Sequence, residues 1–483
     1  MNPEEIRSLT LIEVATAIAD RKLTSVEVTQ AAVDHAAATE DALKTFVYFD
    51  PESALQRAAE ADAALAAGTS WGPLHGVPVA FKDNLDTAGI PTECASPVLK
   101  GRVPTENAHV VDQVLGAGAV SLGKLNMHEF ASGGTSINHY TGSPRNPWAP
   151  DHITGGSSGG SSTAIVAGIA YATLGTDAGG SVRIPASICG HVGLKQTHGL
   201  VSNRGSVFNT WSGDHVGPHT KTVADAELML RVMAVHDPRD STSVDHPLGS
   251  MPAVADLAGV RVGVPTTYFF DDLDPEVEAG VREVIAKMQA AGATIVPFEL
   301  KTIELMMAAR MLTSADAYVY HAKLLEERGE LYAEQAIRFR LLATQYLRAE
   351  DYARSIRARR VVISEFVSLF DDIDVFVAPT TPTTAYPIDA TELTVGDTTI
   401  DLTQPMASGL LARNTSPLNY TGQPSISLPA GLSSKGLPIG VMLTGAHFED
   451  MKLLGIAQAV ERLIGYDEVA PWFAERAAVA AAS

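Results

Sequence analysis

Short apolar and β-branched runs alternate with segments of helical spacing along this chain and resume after one long helical stretch, which limits the folds open to it. The runs stand at residues 77–81, 119–122, 172–174, 260–265, 294–298, 375–378, 425–428 and 439–443. Helical spacing marks 24–39, 51–67, 110–117, 160–170, 275–291 and 450–463, and Thr24 with Glu27 opens the first of these as a capping box. Such alternation reads as α/β. Residues 303–371 are almost entirely helical in spacing and read as an inserted, cap-like element. Strand signals lie on both sides of it, so the sheet gathers segments far apart in sequence into one interleaved core. A single domain over 1–483 is the expectation.

Composition narrows the function classes. Of 483 residues, 46% are hydrophobic and 19% charged, which suits a large buried core and excludes disorder. A net charge of −21 repels a phosphate backbone, and no Lys/Arg run offsets it, so nucleic acid is not an expected partner. Residues 1–20 carry Glu4, Glu5 and Arg7 and have no apolar core of signal-peptide type, and no run of 18 apolar residues occurs. The expectation is a cytoplasmic protein with no membrane partner. Cys94 and Cys189 belong to no CxxC pair and read as partly buried thiols; no metal or cofactor is expected. The Ala-rich tail 477–483 reads as a frayed terminus.

Two Gly/Ser clusters flank one apolar helix and one short strand: TGGSSGGSS from Thr154 and GTDAGGSVRIPAS from Gly175. Packing alone does not call for two of them. Ala178, Gly179, Gly180 and Ser181 offer consecutive backbone donors beside a hydroxyl, which is what an oxyanion needs when a serine attacks a carbonyl. An isolated GGS would more simply be a turn whose serine caps a helix. A nucleophilic serine needs a base, and no histidine stands near either cluster at a familiar spacing. Lys82 follows the run 77–81 and would emerge from the end of a buried strand, where desolvation favours the neutral amine; alternatively it is a surface lysine paired with Asp83.

These segments together resemble the amidase signature family. The resemblance rests on GVPVAFKDN around Lys82, GKLNMHEFASGGTS from Gly123, RNPW from Arg145, GGSSGGSS from Gly155, GTDAGGSVRIPAS from Gly175 and GLKQTHG from Gly193. It covers residues 70–225 as a signature core, with weaker likeness at APTTP from Ala378 and in GQPSISLPAG from Gly422. The resemblance implies a large mixed sheet flanked by helices on both faces. It also implies a Ser–Ser–Lys triad in which Ser181 is the nucleophile and Ser157, after a cis peptide bond, relays its proton to neutral Lys82. Backbone N–H groups of Ala178, Gly179, Gly180 and Ser181 would form the oxyanion hole. Ser158, Thr176, Asp177 and Arg183 match positions that fix the lysine and the loop.

Rival readings remain at this point. Gly155–Ser157–Gly159 satisfies GxSxG, which would make Ser157 the nucleophile of an esterase, but that elbow needs a strand before the serine and 147–152 does not read as one. The cluster lacks the GK[ST] ending of a phosphate loop, and His128-Glu129 meets no second histidine four positions after the first. A binding protein with a dead site is disfavoured by the presence of Lys82, Ser157 and Ser181 together. Within the family, the alternative is the glutaminase subunit of a tRNA-dependent amidotransferase. The expectation is instead a stand-alone amidase, because that subunit's tyrosine and arginine segment has no convincing counterpart in 313–370. Its substrate would be a small amide, an aryl acylamide, a carbamate (urethane) or an ester, and its assembly a monomer or homodimer. The substrate pocket is expected from 135–140, 208–215 and 306–347, with Tyr140, Phe208, Trp211, Tyr318 and Tyr320 as candidate aromatic lining.

Overall fold

The computed structural model describes residues 1–473 apart from 208, 313–314 and 405–406, so Phe208, Thr313 and the tail 477–483 lie outside the described residues. Thirteen strands are described: β1 Phe46–Phe49, β2 Pro78–Lys82, β3 Val120–Leu125, β4 Ala172–Asp177, β5 Val192–Lys195, β6 His215–Thr220, β7 Arg261–Pro265, β8 Thr294–Phe298, β9 Val375–Pro379, β10 Glu392–Val395, β11 Thr398–Asp401, β12 Ser425–Leu432 and β13 Pro438–Thr444. Eleven form one sheet in the order β1-β3-β2-β4-β6-β5-β12-β13-β9-β7-β8, and β10 with β11 makes a separate hairpin. The sheet is mixed. β2 runs parallel to β3 and β4, and β9, β7 and β8 are parallel, while the pairings from β4 through β6, β5, β12 and β13 to β9 are antiparallel.

Alternate side chains of a strand face opposite sides of a sheet, and the core divides accordingly. Val79 and Phe81 of β2, Val375 and Val377 of β9, and Val441 and Leu443 of β13 belong to one apolar cluster. Their neighbours Ala80, and Phe376, Ala378 and Met442, belong to clusters on the other side. Burial on both faces is why these strands read as continuous apolar runs rather than alternating ones.

The signals missed in sequence are instructive. β6, HVGPHT, carries Gly217 and Pro218 in its interior, residues that argue against a strand. It is nevertheless central: Leu174 of β4 stands opposite Pro218, while β5 pairs only with the far end of β6, at His219 and Thr220. The helix read at 160–170 ends at Val166, where Gly168 turns with φ +71° into β4. Residues 303–371 resolve into four α-helices, Ile303–Leu312, Ala315–Arg328, Gln335–Thr344 and Ala349–Asp372. Glu129 ties the start of the third to the core by accepting the N–H groups of Ala333 at 3.1 Å and Glu334 at 2.7 Å and the Ser96 hydroxyl at 2.6 Å. Phe130 meets His321 edge to face at 4.6 Å beside them.

Leu443 is fully buried in β13, between β12 and β9. Leu443→Ala should cost about 2–5 kcal/mol, measured as a lower urea midpoint at unchanged slope.

Candidate active site

β2 and β4 are parallel neighbours with Phe81 opposite Leu174, so their carboxyl ends place Lys82 beside Thr176. The carboxyl edge of parallel strands is where α/β proteins gather ligand sites. The segment Thr154–Ser158 arrives at the same edge and starts the helix Gly159–Val166; the loop 178–182 leaves β4 there and starts the helix Arg183–Cys189.

Lys82, Ser157 and Thr176 meet in the interior. Lys82 Nζ lies 2.7 Å from Ser157 Oγ and 2.9 Å from Thr176 Oγ1, and Asn84 Nδ2 also donates to Thr176 Oγ1, at 3.0 Å. Burial pushes the lysine down to about 7, against the opposing pull of Asp214 and Asp177. A neutral Lys82 that spends one N–H on Thr176 can turn its lone pair to the Ser157 hydroxyl. The Gly156–Ser157 peptide bond is cis, and Gly156 is packed so closely that a Cβ there would stand 2.7 Å from Ser136 N and 2.8 Å from Gly133 O. Ser136 Oγ in turn accepts the Gly159 N–H at 3.0 Å, and His128 N–H donates to Ser157 O at 3.1 Å. The segment 128–136 therefore clamps Ser157 from both sides.

Asp177 organises the second cluster. Its carboxylate accepts the N–H groups of Gly180 at 2.7 Å and Val182 at 3.2 Å, Arg183 Nε at 3.1 Å and Nη2 at 3.0 Å, and Asn419 Nδ2 at 2.8 Å. Burial opposes the charge, but the Arg183 guanidinium and Asn419 outweigh it and hold this carboxyl well below the usual carboxylate range. Gly180 has φ +126°, and a Cβ there would stand 2.0 Å from Thr415 Oγ1, so the turn requires glycine. This geometry corrects one sequence expectation: the Gly180 N–H is committed to Asp177 and does not face an oxyanion. The N–H groups of Ala178, Gly179 and Ser181 make no hydrogen bond within the described residues and stay available.

Ser181 lines an open cavity of about 230 Å³ together with Ala178, Gly179, Asn209, Arg310 and Arg340. Among the described residues no hydrogen bond joins Ser181 to Ser157, although both stand at the same edge of the sheet. Ser158 Oγ reaches only Thr176 O, at 3.4 Å. Among the described residues, none of Tyr140, Trp211, Tyr318 and Tyr320 lines this cavity: Tyr140 and Trp211 are exposed, and Tyr320 packs against the Phe130–Tyr332 cluster. Residues 147–152 form turns and isolated bridges rather than a strand, which removes the GxSxG elbow. Burial, with Arg340 and Lys82 nearby, pushes His128 down to about 3, so this neighbouring imidazole is neutral and no cation competes with Lys82 there. No group of three or more His, Cys, Asp or Glu able to hold a metal occurs among the described residues. None of their helices is long and apolar enough to cross a membrane.

Asp214 was missed in sequence. It is buried, accepts the N–H groups of Asn209 at 2.8 Å and Thr210 at 3.0 Å, and burial raises it to about 7 although these bonds and Lys82 pull it down. Its only signal was an acid at the head of the unread strand β6.

A reaction that uses the free Lys82 amine as its base should show kcat/KM rising as pH passes about 7 and then levelling off. Asp214 stabilises the ammonium, so Asp214→Asn should lower the lysine's pKa and move this limb to lower pH; an unmoved limb would separate Asp214 from Lys82. Arg183→Met leaves Asp177 charged, buried and unpaired, and should cost about 3–5 kcal/mol in chemical denaturation.

A family model described as Amidase matches residues 27–454. A glutamyl-tRNA(Gln) amidotransferase subunit from Chloroflexus aurantiacus is 36% identical over 95% of this chain and 97% of its own length. Among solved structures, a chain from a vestigial protein complex that bears on the origins of an s-triazine catabolic enzyme is 30% identical, with a TM-score of 0.88 over 95% of this chain and 100% of that one. Native peptide amidase from Stenotrophomonas maltophilia is 27% identical, with a TM-score of 0.83 over 97% and 100% of the two chains. The relatives found at 36% identity over 95% of this chain are amidotransferase subunits, so the expectation of a stand-alone amidase is not supported. With eleven strands in one mixed sheet and a family match across most of its length, the chain belongs to the amidase family, enzymes that act on C–N bonds.

Proposed function

We propose that the chain hydrolyses the C–N bond of a small carboxamide through an acyl-enzyme on Ser181. The observation that carries this is the buried Lys82 amine, held 2.7 Å from Ser157 Oγ at the edge where Ser181 opens to a cavity. Ser181 Oγ bonds to the carbonyl carbon; its proton passes to Ser157, whose own proton passes to Lys82. Charge develops on the carbonyl oxygen, facing the N–H groups of Ala178, Gly179 and Ser181. The relay runs backward to protonate the nitrogen as the C–N bond breaks, and water then cleaves the ester with the same base. Ser158, Thr176, Asp177 and Arg183 position the lysine and the loop.

Two settings fit this chemistry. The near full-length identity to an amidotransferase chain favours an ammonia-releasing subunit working with partner chains over a stand-alone amidase acting on anilides, carbamates or esters. The fold likeness to a peptide amidase keeps the second setting in view.

Ser181→Ala should lower turnover by at least about a thousandfold with an unchanged fold by circular dichroism. A variant that keeps a tenth of the rate would refute the assignment. Ammonia release from glutamine, tested with the chain alone and copurified with its partners, separates the settings. Preference for anilides or carbamates by the chain alone would overturn the amidotransferase reading.

A further inference from the structure

The helix Ala349–Asp372 leaves one long face uncovered. Its inner side buries Ser355, Val362 and Phe366. On the outer side, exposed residues recur at Arg357, Val361, Ser364, Ser368 and Asp371, in alternating steps of four and three. That spacing keeps a stripe on the side of a helix that faces a second helix. Val361 is 54% exposed, and Val367, beside the stripe, 50%. Glu365 accepts the N–H groups of Lys301 at 2.7 Å and Thr302 at 3.0 Å, which seats the helix Ile303–Leu312 alongside, and Leu305 of that helix is exposed as well. A lone exposed apolar residue needs no explanation, but these stand on two helices packed against each other.

Charge is divided along the same face. Arg354, Arg357 and Arg360 are exposed in its first half, and Asp371 and Asp372 end it. Arg359 instead turns inward, its Nη2 donating to Ser212 O at 2.9 Å. Among the described residues the ion pairs of this segment use Arg348, Glu350 and Asp351, and none uses Arg357, Arg360 or Asp371. An acid in the last turn of a helix opposes the helix dipole, and this last turn holds no basic residue to offset it. Turned end for end, the face matches itself. An antiparallel copy aligned through Ser364 sets Val361 opposite Val367 and Arg357 opposite Asp371, and a two-fold axis makes each contact twice. Ser364, on the axis, is small enough to let the helices come close. A parallel copy would set arginine against arginine.

We infer that this face is an interface between two copies of the chain, with their helices Ala349–Asp372 packed antiparallel about a two-fold axis at Ser364. A net charge of −21 makes two copies repel, so they can meet only where cations are concentrated, and this stretch supplies them. The occupant is a second copy rather than an acidic chain of another kind, because one helix carries both the arginine and the aspartate at equal distances from Ser364. Exposed ion pairs are screened by salt, so the dimer is reversible and salt-sensitive. The contact uses none of the groups around Ser181 and stands apart from the acyl-enzyme reading.

Sedimentation velocity of the full chain over micromolar concentrations should show a monomer–dimer equilibrium that moves toward monomer as salt is raised. Arg357→Asp and Asp371→Arg each set like charges against one another twice, and each should raise the dissociation constant by at least about tenfold. Circular dichroism shows whether each variant keeps its fold. An equimolar mixture of the two variants is the decisive sample. In a pair made of one of each, both contacts regain opposite charges, so the mixture should dimerise as the wild type does. The double variant Arg357→Asp/Asp371→Arg should dimerise with itself for the same reason, and it serves if either single variant folds poorly. A wild type that stays monomeric at every concentration would overturn the proposal. So would a dimer that both single variants leave intact, since it would lie on another surface. A mixture and a double variant that both remain monomeric would reject the two-fold pairing and leave the face to an acidic chain of another kind.

Discussion

The buried ion pair between Asp177 and Arg183 is the interaction on which the rest of the site depends. Arg183 leaves no donor idle: besides Asp177 it reaches Asn419 Oδ1 at 2.7 Å, Ser425 Oγ at 3.0 Å and Met442 Sδ at 3.4 Å. Those partners come from the helix Ser416–Thr421 and from β12 and β13, more than two hundred residues further along the chain. One side chain thus fixes the serine-bearing loop to the far half of the sheet. A pair of charges removed from water recovers its desolvation only when every lone pair and N–H is used, and here the backbone of the loop itself supplies N–H donors to the carboxylate. The shape of residues 177–183 follows from satisfying Asp177.

The same constraint explains why Gly180 cannot serve the oxyanion. A carboxylate that must be satisfied takes the nearest N–H groups, and the tight turn with φ +126° aims Gly180 inward while its neighbours Gly179 and Ser181 border the cavity. The amides that border the cavity are therefore those that Asp177 does not claim.

Much of this was legible in the residues. The apolar runs at 375–378 and 439–443, which became β9 and β13, are visible because strands covered on both faces are made of apolar residues throughout. Lys82, Ser157 and Ser181 stood out because glycine, serine and a lone lysine at a strand end have few packing reasons to be there. What escaped was set by partners distant in sequence. β6 hides behind Gly217 and Pro218, which pair with β4 alone, since the ladder between β5 and β6 is confined to His219 and Thr220. Arg340 and Arg310 reach the cavity beside Ser181 from helices, and nothing local distinguishes an arginine facing a cavity from one facing water. Tyr140, Trp211, Tyr318 and Tyr320 lie away from the cavity for the same reason, since size and polarity do not fix direction.

Asp177 and Asp214 show how partners, rather than depth, set the chemistry of a buried acid. Both are buried and both pull Lys82 toward its charged form. Asp177 has a guanidinium against it and stays ionised; Asp214 has two backbone amides and a distant amine, and burial lifts it to about 7. Burial outweighs the pull of both acids on Lys82, which is why the lysine falls to about 7 with a permanently charged carboxylate in its surroundings.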